Sequence, residues 1–453
     1  MKRTIFLLAV MLFAVRTKAP QKLETAGSSS CGGPPIYCAT TSTNIVPITK
    51  LPTPTVDTKF VDPDFHSAMV RVTGPDTLTS RPGISYLTNS SAEQNTWNID
   101  STKFYAIATG NAIYAYDFNS TTMDAMLEQP AMPLSTASFS RVNANLVYGW
   151  TGGTSLTIGQ YDLAAHKLTD VIATPSCVPG LTPQPHQGDV SVSANDQRIM
   201  VYEGGSQQNR DNFVVVYDKT LGCRWLNTQT GEIGGAWGPE GKATPYVTPF
   251  LMHNARLAIS GQWAVLEPST MMTKVIWMVD SLNVRDCSFD STGLCAGHGV
   301  GGYQKYVNSS SYLDDMNILI RPFGTLTPTS PLIKPLPKPV QWGYDKHLSW
   351  NDDNTTDTMP VCGSTYLESP PDVPRAWNEE IICLRTDGTA HAVWRFAHHR
   401  SVYQTVDFWS TPRGNVSQDG KFYEFTSTWG NELGIQPGTS GIFRKDVFVV
   451  ELH

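Results

Sequence analysis

Residues 113–121, IYAYDFNST, form a β-branched and aromatic run that ends in an aspartate and a turn. The same kind of segment recurs as IGQYDLAAH at 158–166, VVVYDKTLG at 214–222, IWMVDSLNV at 276–284, ILIRPFGT at 318–325, IICLRTDGT at 381–389 and VFVVELH at 447–453. Val, Ile, Tyr and Phe suit a pleated, half-buried strand, and Asp, Asn and Gly suit the turn that follows. A second element precedes most copies, a turn leading into another apolar run. It reads NIDSTKFYAIA at 98–108, SFSRVNANLVYG at 138–149, VSANDQRIMVY at 192–202, AISGQWAVL at 258–266 and VSQDGKFYEFTS at 416–427. Asn, Asp or Gly between two strand-like runs is the hairpin signature. Each unit therefore reads as strand, turn, strand and then the YD-type strand. The copies stand roughly 40 to 65 residues apart, the scale of a four-stranded blade with variable loops. One such sheet cannot bury both of its faces, whereas seven arranged radially can. The sequence predicts an all-β fold, a seven-bladed β-propeller with four-stranded blades.

The ring's closure is also legible. The sequence stops almost at once after the seventh YD-type copy, and HSAMVRVTG, from His66, arrives before the first full unit with the alternation of a strand. That early strand is expected beside VFVVELH, where it removes two open edges. The expected organisation is a signal peptide over about 1–27, an extended Ser/Thr/Pro-rich leader over 28–64 and the propeller over 65–453. The signal reading rests on Lys2-Arg3 followed by the apolar run Ile5 to Val15, too short to cross a bilayer.

With 33 Lys+Arg against 40 Asp+Glu, the net charge of −7 supplies no polycationic surface and argues against a nucleic-acid partner. The eight cysteines all lie beyond the signal; of the 105 connectivities they permit, loop proximity favours Cys31–Cys38, Cys177–Cys223, Cys287–Cys295 and Cys362–Cys383, with metal thiolates, for which no CxxC is present, as the alternative. That pairing suits an oxidising compartment, so a secreted or periplasmic protein is expected, with no membrane segment after signal removal. A closed ring has no obligatory need of a partner, and a monomer is expected.

In a propeller the loops leading into the innermost strands converge on one mouth of the channel, so residues remote in sequence meet there. His186 stands seven residues before Ser193, and His253 the same seven before Ser260, which gives equivalent places in two blades. His298, His347 and the adjacent His398 and His399 also precede their blades, and Arg413 precedes the last one. The whole chain holds only 10 His. Neutral imidazole is a common ligand of divalent metals and also a general base near neutral pH. Three imidazoles can fix a cation while a fourth takes a proton, and Arg413 with the cation can neutralise a carboxylate. Together these suit removal of a proton beside a uronate carboxylate, followed by β-elimination. The plainer reading of each histidine is a hydrogen-bonded cap on an inner strand. Trp350 and Trp409 are candidates for stacking on a sugar, with burial between blades as the alternative. No GxSxG elbow is present for a serine hydrolase.

The closing unit, PRGNVSQDGKFYEFTSTWG at 412–430, resembles the inner hairpin of TolB-type propellers. With the His-bearing loops and the signal peptide, the chain is similar to the oligogalacturonate lyase group of seven-bladed propellers. That resemblance implies a divalent metal, manganese or similar, held by histidines and a glutamine at the mouth, and an acidic oligosaccharide or polysaccharide as substrate. It places His298 and His347 at metal-ligand positions, His253 at the catalytic position and Gln404 at that of the amide ligand. The family carries a glutamine, a histidine pair and a proline directly ahead of its last SxDG turn. This chain reads FWSTPRGNVSQDG there, with Arg413 and no imidazole. Either His399 substitutes from the neighbouring loop, or the site is lost or remade. The reading is therefore a metal-assisted lyase with His253 as base, Arg413 on the carboxylate, His298, His347, His399 and Gln404 as ligands, and His186, Trp350 and Trp409 on substrate. The alternative is a non-catalytic propeller that binds a glycan or a protein.

Overall fold

The computed structural model describes residues 44–89, 94–152, 156–178, 181, 188–204, 212–245, 249–269, 274–287, 296–309, 318–325, 330–331, 345–351, 355–366, 376–387, 392–404 and 406–452. Its strands form seven separate antiparallel sheets, the blades of a β-propeller. Numbered along the chain, the blades begin with inner strands Tyr86–Leu87, Ser135–Phe139, Ser191–Val192, Met252–Leu257, Ala296–Gly301, Asp345–Ser349 and Gly414–Val416. All seven YD-type runs fall in the third strand of a blade: Ala112–Phe118, Thr157–Asp162, Phe213–Asp218, Val275–Met278, Ile318–Pro322, Glu380–Leu384 and Asp446–Glu451. Position in the blade explains the shared pattern, because a third strand is covered on both faces by its neighbours. Blade 3 departs from four strands and continues outward through Glu232–Gly235 and Gly241–Lys242.

Closure follows the expected route. Ala68–Arg71 pairs antiparallel with Asp446–Glu451, Met69 opposite Val450 and Arg71 opposite Phe448, and Phe60–Val61 adds a fifth strand outside it. The seam is also ionic: Asp446 is fully buried and takes Nε and Nη2 of Arg71 at 2.9 and 2.6 Å and Nη1 of Arg444 at 2.7 Å. Residues upstream of this strand are tied to the ring too. Arg395 donates to the carbonyl of Asn44 at 2.8 Å, and the Trp429 indole to that of Pro52 at 3.2 Å.

Apolar side chains fill the spaces between blades. Trp97, Phe104, Tyr116 and Phe118 of blade 1 meet Phe422, Val447 and Val449 of blade 7, all at most 5 % exposed. The axis carries a polar tie. Arg141, at the far end of the blade 2 inner strand, reaches across to Asn351 of blade 6, donating to its Oδ1 at 2.9 Å and its carbonyl at 3.3 Å. Asn351 in turn donates to the carbonyl of Gln94 in blade 1 at 2.8 Å and to Asn415 in blade 7. These bonds span the axis at the end opposite the mouth. Cys177–Cys223 and Cys362–Cys383 form disulfides as expected; Cys287 is disulfide-bonded, and Cys31, Cys38 and Cys295 lie outside the described residues. No helix among the described residues is long and apolar enough to cross a membrane.

Candidate functional site

Four consecutive blades open their inner strands with the residues singled out from the sequence. His253 is the second residue of the blade 4 strand, His298 the third of blade 5, His347 the third of blade 6, and Arg413 directly precedes blade 7. Blades 4 and 5 share a further feature: register shifts between Met252 and Asn254 and between Ala296 and Gly299. His253 and His298 therefore both stand in β-bulges, which re-aim side chains at the rim of a sheet. His253 is exposed. The side chain of His298 lies outside the described set, as does His186 altogether. Blades 6 and 7 are held in register by the Ser349 hydroxyl, which donates to Asn415 Oδ1 at 3.1 Å. His347 and Arg413 each lie two residues ahead of that pair, at matching heights on neighbouring strands. His347 is buried, its ring stacked on Tyr366 at 5.3 Å and 11°, and Tyr366 lies 6.2 Å from Tyr403.

The loop into blade 7 carries the most distinctive surface. Val406, Phe408 and Trp409 are 76, 44 and 45 % exposed, an apolar cluster that burial would normally remove. Beneath it, the Arg413 guanidinium lies 4.4 Å from the Phe408 ring centre and 4.3 Å from that of Trp409. Cation–π contact of this kind holds both rings in place. Asp407 anchors the loop from inside. It forms a buried ion pair with Lys445 and accepts the Trp409 N–H at 3.1 Å, capping the short turn Phe408–Ser410.

Several expectations change here. Arg413 is 3 % exposed and covered by its two aromatic neighbours, so its guanidinium braces a platform instead of facing an incoming carboxylate. His399 does not fit a metal site. Its Nδ1 accepts the Ser401 N–H at 2.9 Å, which leaves the proton on Nε2, and Nε2 donates to the Thr365 carbonyl at 2.7 Å. No lone pair remains for a cation, and burial, with the charge of Arg400 acting the same way, pushes this imidazole down to about 3. His399→Ala is expected to cost about 2 kcal/mol, from two orphaned backbone groups, while leaving the protein's metal content unchanged on elemental analysis. Gln404 Oε1 points to the Phe443 N–H at 3.4 Å. Trp350 is core, 1 % exposed, its indole donating to the Met359 carbonyl at 2.8 Å. With His399 engaged and Gln404 turned elsewhere, the expected four-ligand metal set does not assemble, and no chemical step is derived through a metal.

The His/Asp cluster that does form lies elsewhere. Ligand-type atoms of Asp62, Asp64 and His398 come within 4.8 Å of one another on the seam between the N-terminal segment and blade 6. Arg400 already supplies its positive charge, with Nη1 at 2.7 Å from Asp62, and His398 Nδ1 bonds Asp64 at 2.9 Å. Thr49 adds a backbone N–H to Asp64 at 3.0 Å. The cluster fastens the leader to the ring. Nothing in sequence spacing marked it, because His398 is over three hundred residues from Asp62 and Asp64.

Blade 7 also buries an acid. Glu424, opposite Asn415 in the blade, is fully buried, and burial pushes its carboxyl up to about 8 although Thr96 opposes the shift. A carboxyl whose folded value exceeds its unfolded one contributes its full stability below the unfolded value and loses it as pH rises through the folded one. Stability should therefore fall as pH rises from about 4.5 to about 8. Glu424→Gln is expected to flatten that slope in melts recorded across the range.

No family model and no curated protein matches the sequence. Among solved structures, the oligogalacturonate lyase of Vibrio parahaemolyticus matches with a TM-score of 0.53 at 13 % identity, over 87 % of this chain and 96 % of that one. The WD40 repeats of RRP9 match with a TM-score of 0.46 at 9 % identity, over 82 % of this chain and 98 % of that one. At such identities the likeness concerns the fold. In fold, the chain is a seven-bladed β-propeller that resembles the oligogalacturonate lyase, as its closing hairpin led one to expect.

Proposed function

We propose that this is an exported protein that binds a uronate-containing glycan at the mouth of its propeller, with Trp409 and Phe408 as the stacking surface. The observation that carries the reading is the pair of half-exposed rings fixed over Arg413 on the loop into blade 7. Flat aromatic faces stack on the apolar faces of sugar rings, and a cation directly behind them favours an acidic sugar over a neutral one. The disulfides favour an oxidising compartment. Titration of trigalacturonate by calorimetry tests the reading. Trp409→Ala is expected to weaken binding about 30-fold, the loss of roughly 2 kcal/mol from a central aromatic contact, with an unchanged melting temperature. Equal affinity in the variant would refute it.

A second reading, elimination on the same glycan, is favoured by His253, an exposed residue standing in a bulge at the start of the blade 4 strand. In it, His253 takes the proton next to the uronate carboxylate and the glycosidic C–O bond on the adjacent carbon breaks. The unsaturated product absorbs in the ultraviolet. Its release from polygalacturonate, abolished in His253→Ala, would establish the lyase. Binding without product would leave a glycan-binding propeller.

A further inference from the structure

The triplet Asn-x-Ser/Thr, the acceptor pattern for N-linked glycans, occurs at Asn89, Asn119, Asn308, Asn354 and Asn415. The fold separates them. Asn89, Asn308 and Asn415 are at most 1 % exposed, and two of them are committed to bonds inside the ring. Asn308 Oδ1 accepts Arg321 Nε at 3.2 Å, and Asn415 Oδ1 accepts the Ser349 hydroxyl. Asn354 lies outside the described residues. Asn119 differs from the buried positions. It stands on the turn between the third strand of blade 1, Ala112–Phe118, and the fourth, Ala125–Leu127, and residues 119–122 are all exposed.

The turn is fixed from beneath and open above. Met123, 0 % exposed, donates its N–H to the Asn119 carbonyl at 2.7 Å, and the Asn119 N–H bonds the Asp124 carbonyl at 3.0 Å. The Asn119 side chain closes an Asx turn, its Oδ1 accepting the N–H groups of Thr121 at 2.9 Å and Thr122 at 3.2 Å. That leaves Nδ2, the atom to which a sugar is joined, and the Thr121 hydroxyl, which completes the triplet, with no hydrogen bond among the described residues. Phe118 donates to the Thr102 carbonyl in the hairpin turn at the end of the blade opposite the mouth, so a sugar on Asn119 stands clear of the mouth. We propose that Asn119 is the residue at which the folded protein accepts an N-linked glycan. In the transfer, Nδ2 bonds the anomeric carbon of a sugar carried on a diphosphate, and the bond from that carbon to the diphosphate oxygen breaks. The diphosphate leaves with the electron pair, and one amide proton passes to a base of the transferase. At the buried asparagines the same bond can form only with the blades opened, because close packing leaves no room for a sugar.

Incubation of the folded full chain with a soluble N-glycosyltransferase specific for this triplet and a nucleotide diphosphate sugar, followed by peptide mapping, tests the assignment. Asn119 is expected to carry the sugar, with Asn89, Asn308 and Asn415 bare. The same treatment of proteolytic fragments of the chain should label the buried positions as well, which makes their silence in the folded protein a matter of burial. Asn119→Gln and Thr121→Ala are expected to abolish the label on this turn, and Thr121→Ser to keep it. Asn119→Asp retains an acceptor for the two N–H groups, so it should melt as the native chain does and take no sugar. The assignment is overturned if Asn119 stays bare in the folded chain while its fragment is labelled. Label on Asn89, Asn308 or Asn415 in the folded chain would overturn it equally.

Discussion

Removal of residues up to Pro75 is expected to abolish cooperative folding of blade 7. The strand Ala68–Arg71 is the fourth strand of that blade, and Met69, Val70 and Val72 are at most 2 % exposed. Burying three such side chains stabilises by about 5 to 9 kcal/mol. Deletion also strips Asp446 of Arg71, leaving a fully buried carboxylate with Arg444 and without its bidentate partner. Breaking a buried pair costs about 3 to 5 kcal/mol. The sum is comparable to the entire stability of an ordinary domain, about 5 to 15 kcal/mol. Hydrogen exchange should show amides of Asp446–Glu451 losing protection first. A truncated chain that melts like the full one would mean that the ring closes by another route.

Asp407→Ala is expected to have the second largest effect, on stability and on binding together. The change leaves Lys445, 3 % exposed, as a buried ammonium without its carboxylate, and removes the cap on the turn that carries Phe408 and Trp409. A loss of about 3 to 5 kcal/mol in denaturant titrations follows from the first. Loosening of the aromatic platform follows from the second, with glycan affinity falling at least tenfold at a temperature where the variant is folded. Asp407→Asn keeps an acceptor for the Trp409 N–H while losing the charge. It should therefore retain more of the affinity than of the stability. If both variants bind as the native chain does, the loop is not the binding element.

The ring was legible because strand composition repeats. All seven YD-type runs, from IYAYDFNST to VFVVELH, occupy the same rank in their blades, since a strand covered on both sides selects β-branched and aromatic residues wherever it occurs. The hairpin turns Asn143–Asn145 and Asp419-Gly420 lie where turn chemistry put them. The extra strands of blade 3, with glycines at 234, 235 and 241, lacked that composition and were not readable. The site was legible only as far as position along a strand. The sequence placed His253, His347 and Arg413 at the starts of inner strands but not the direction or cover of their side chains. Arg413, a carboxylate clamp by its place in the sequence, lies under two rings; His399, a ligand candidate by the same token, is bonded at both nitrogens. Trp350 and Trp409 look alike in sequence, and only the blade packing separates the buried ring from the half-exposed one. Asp407 and Lys445, 38 residues apart, carry no local signal of their pairing.

The account depends most on the claim that the loop into blade 7 presents a glycan-binding surface at the mouth. Crosslinking with a photoreactive uronate oligosaccharide, followed by peptide mapping, tests it most directly. The account predicts label on residues 402–413, competed by unlabelled trigalacturonate and lost in Trp409→Ala. Competable label confined to the outer edges of the blades, or to the face opposite the mouth, would contradict it.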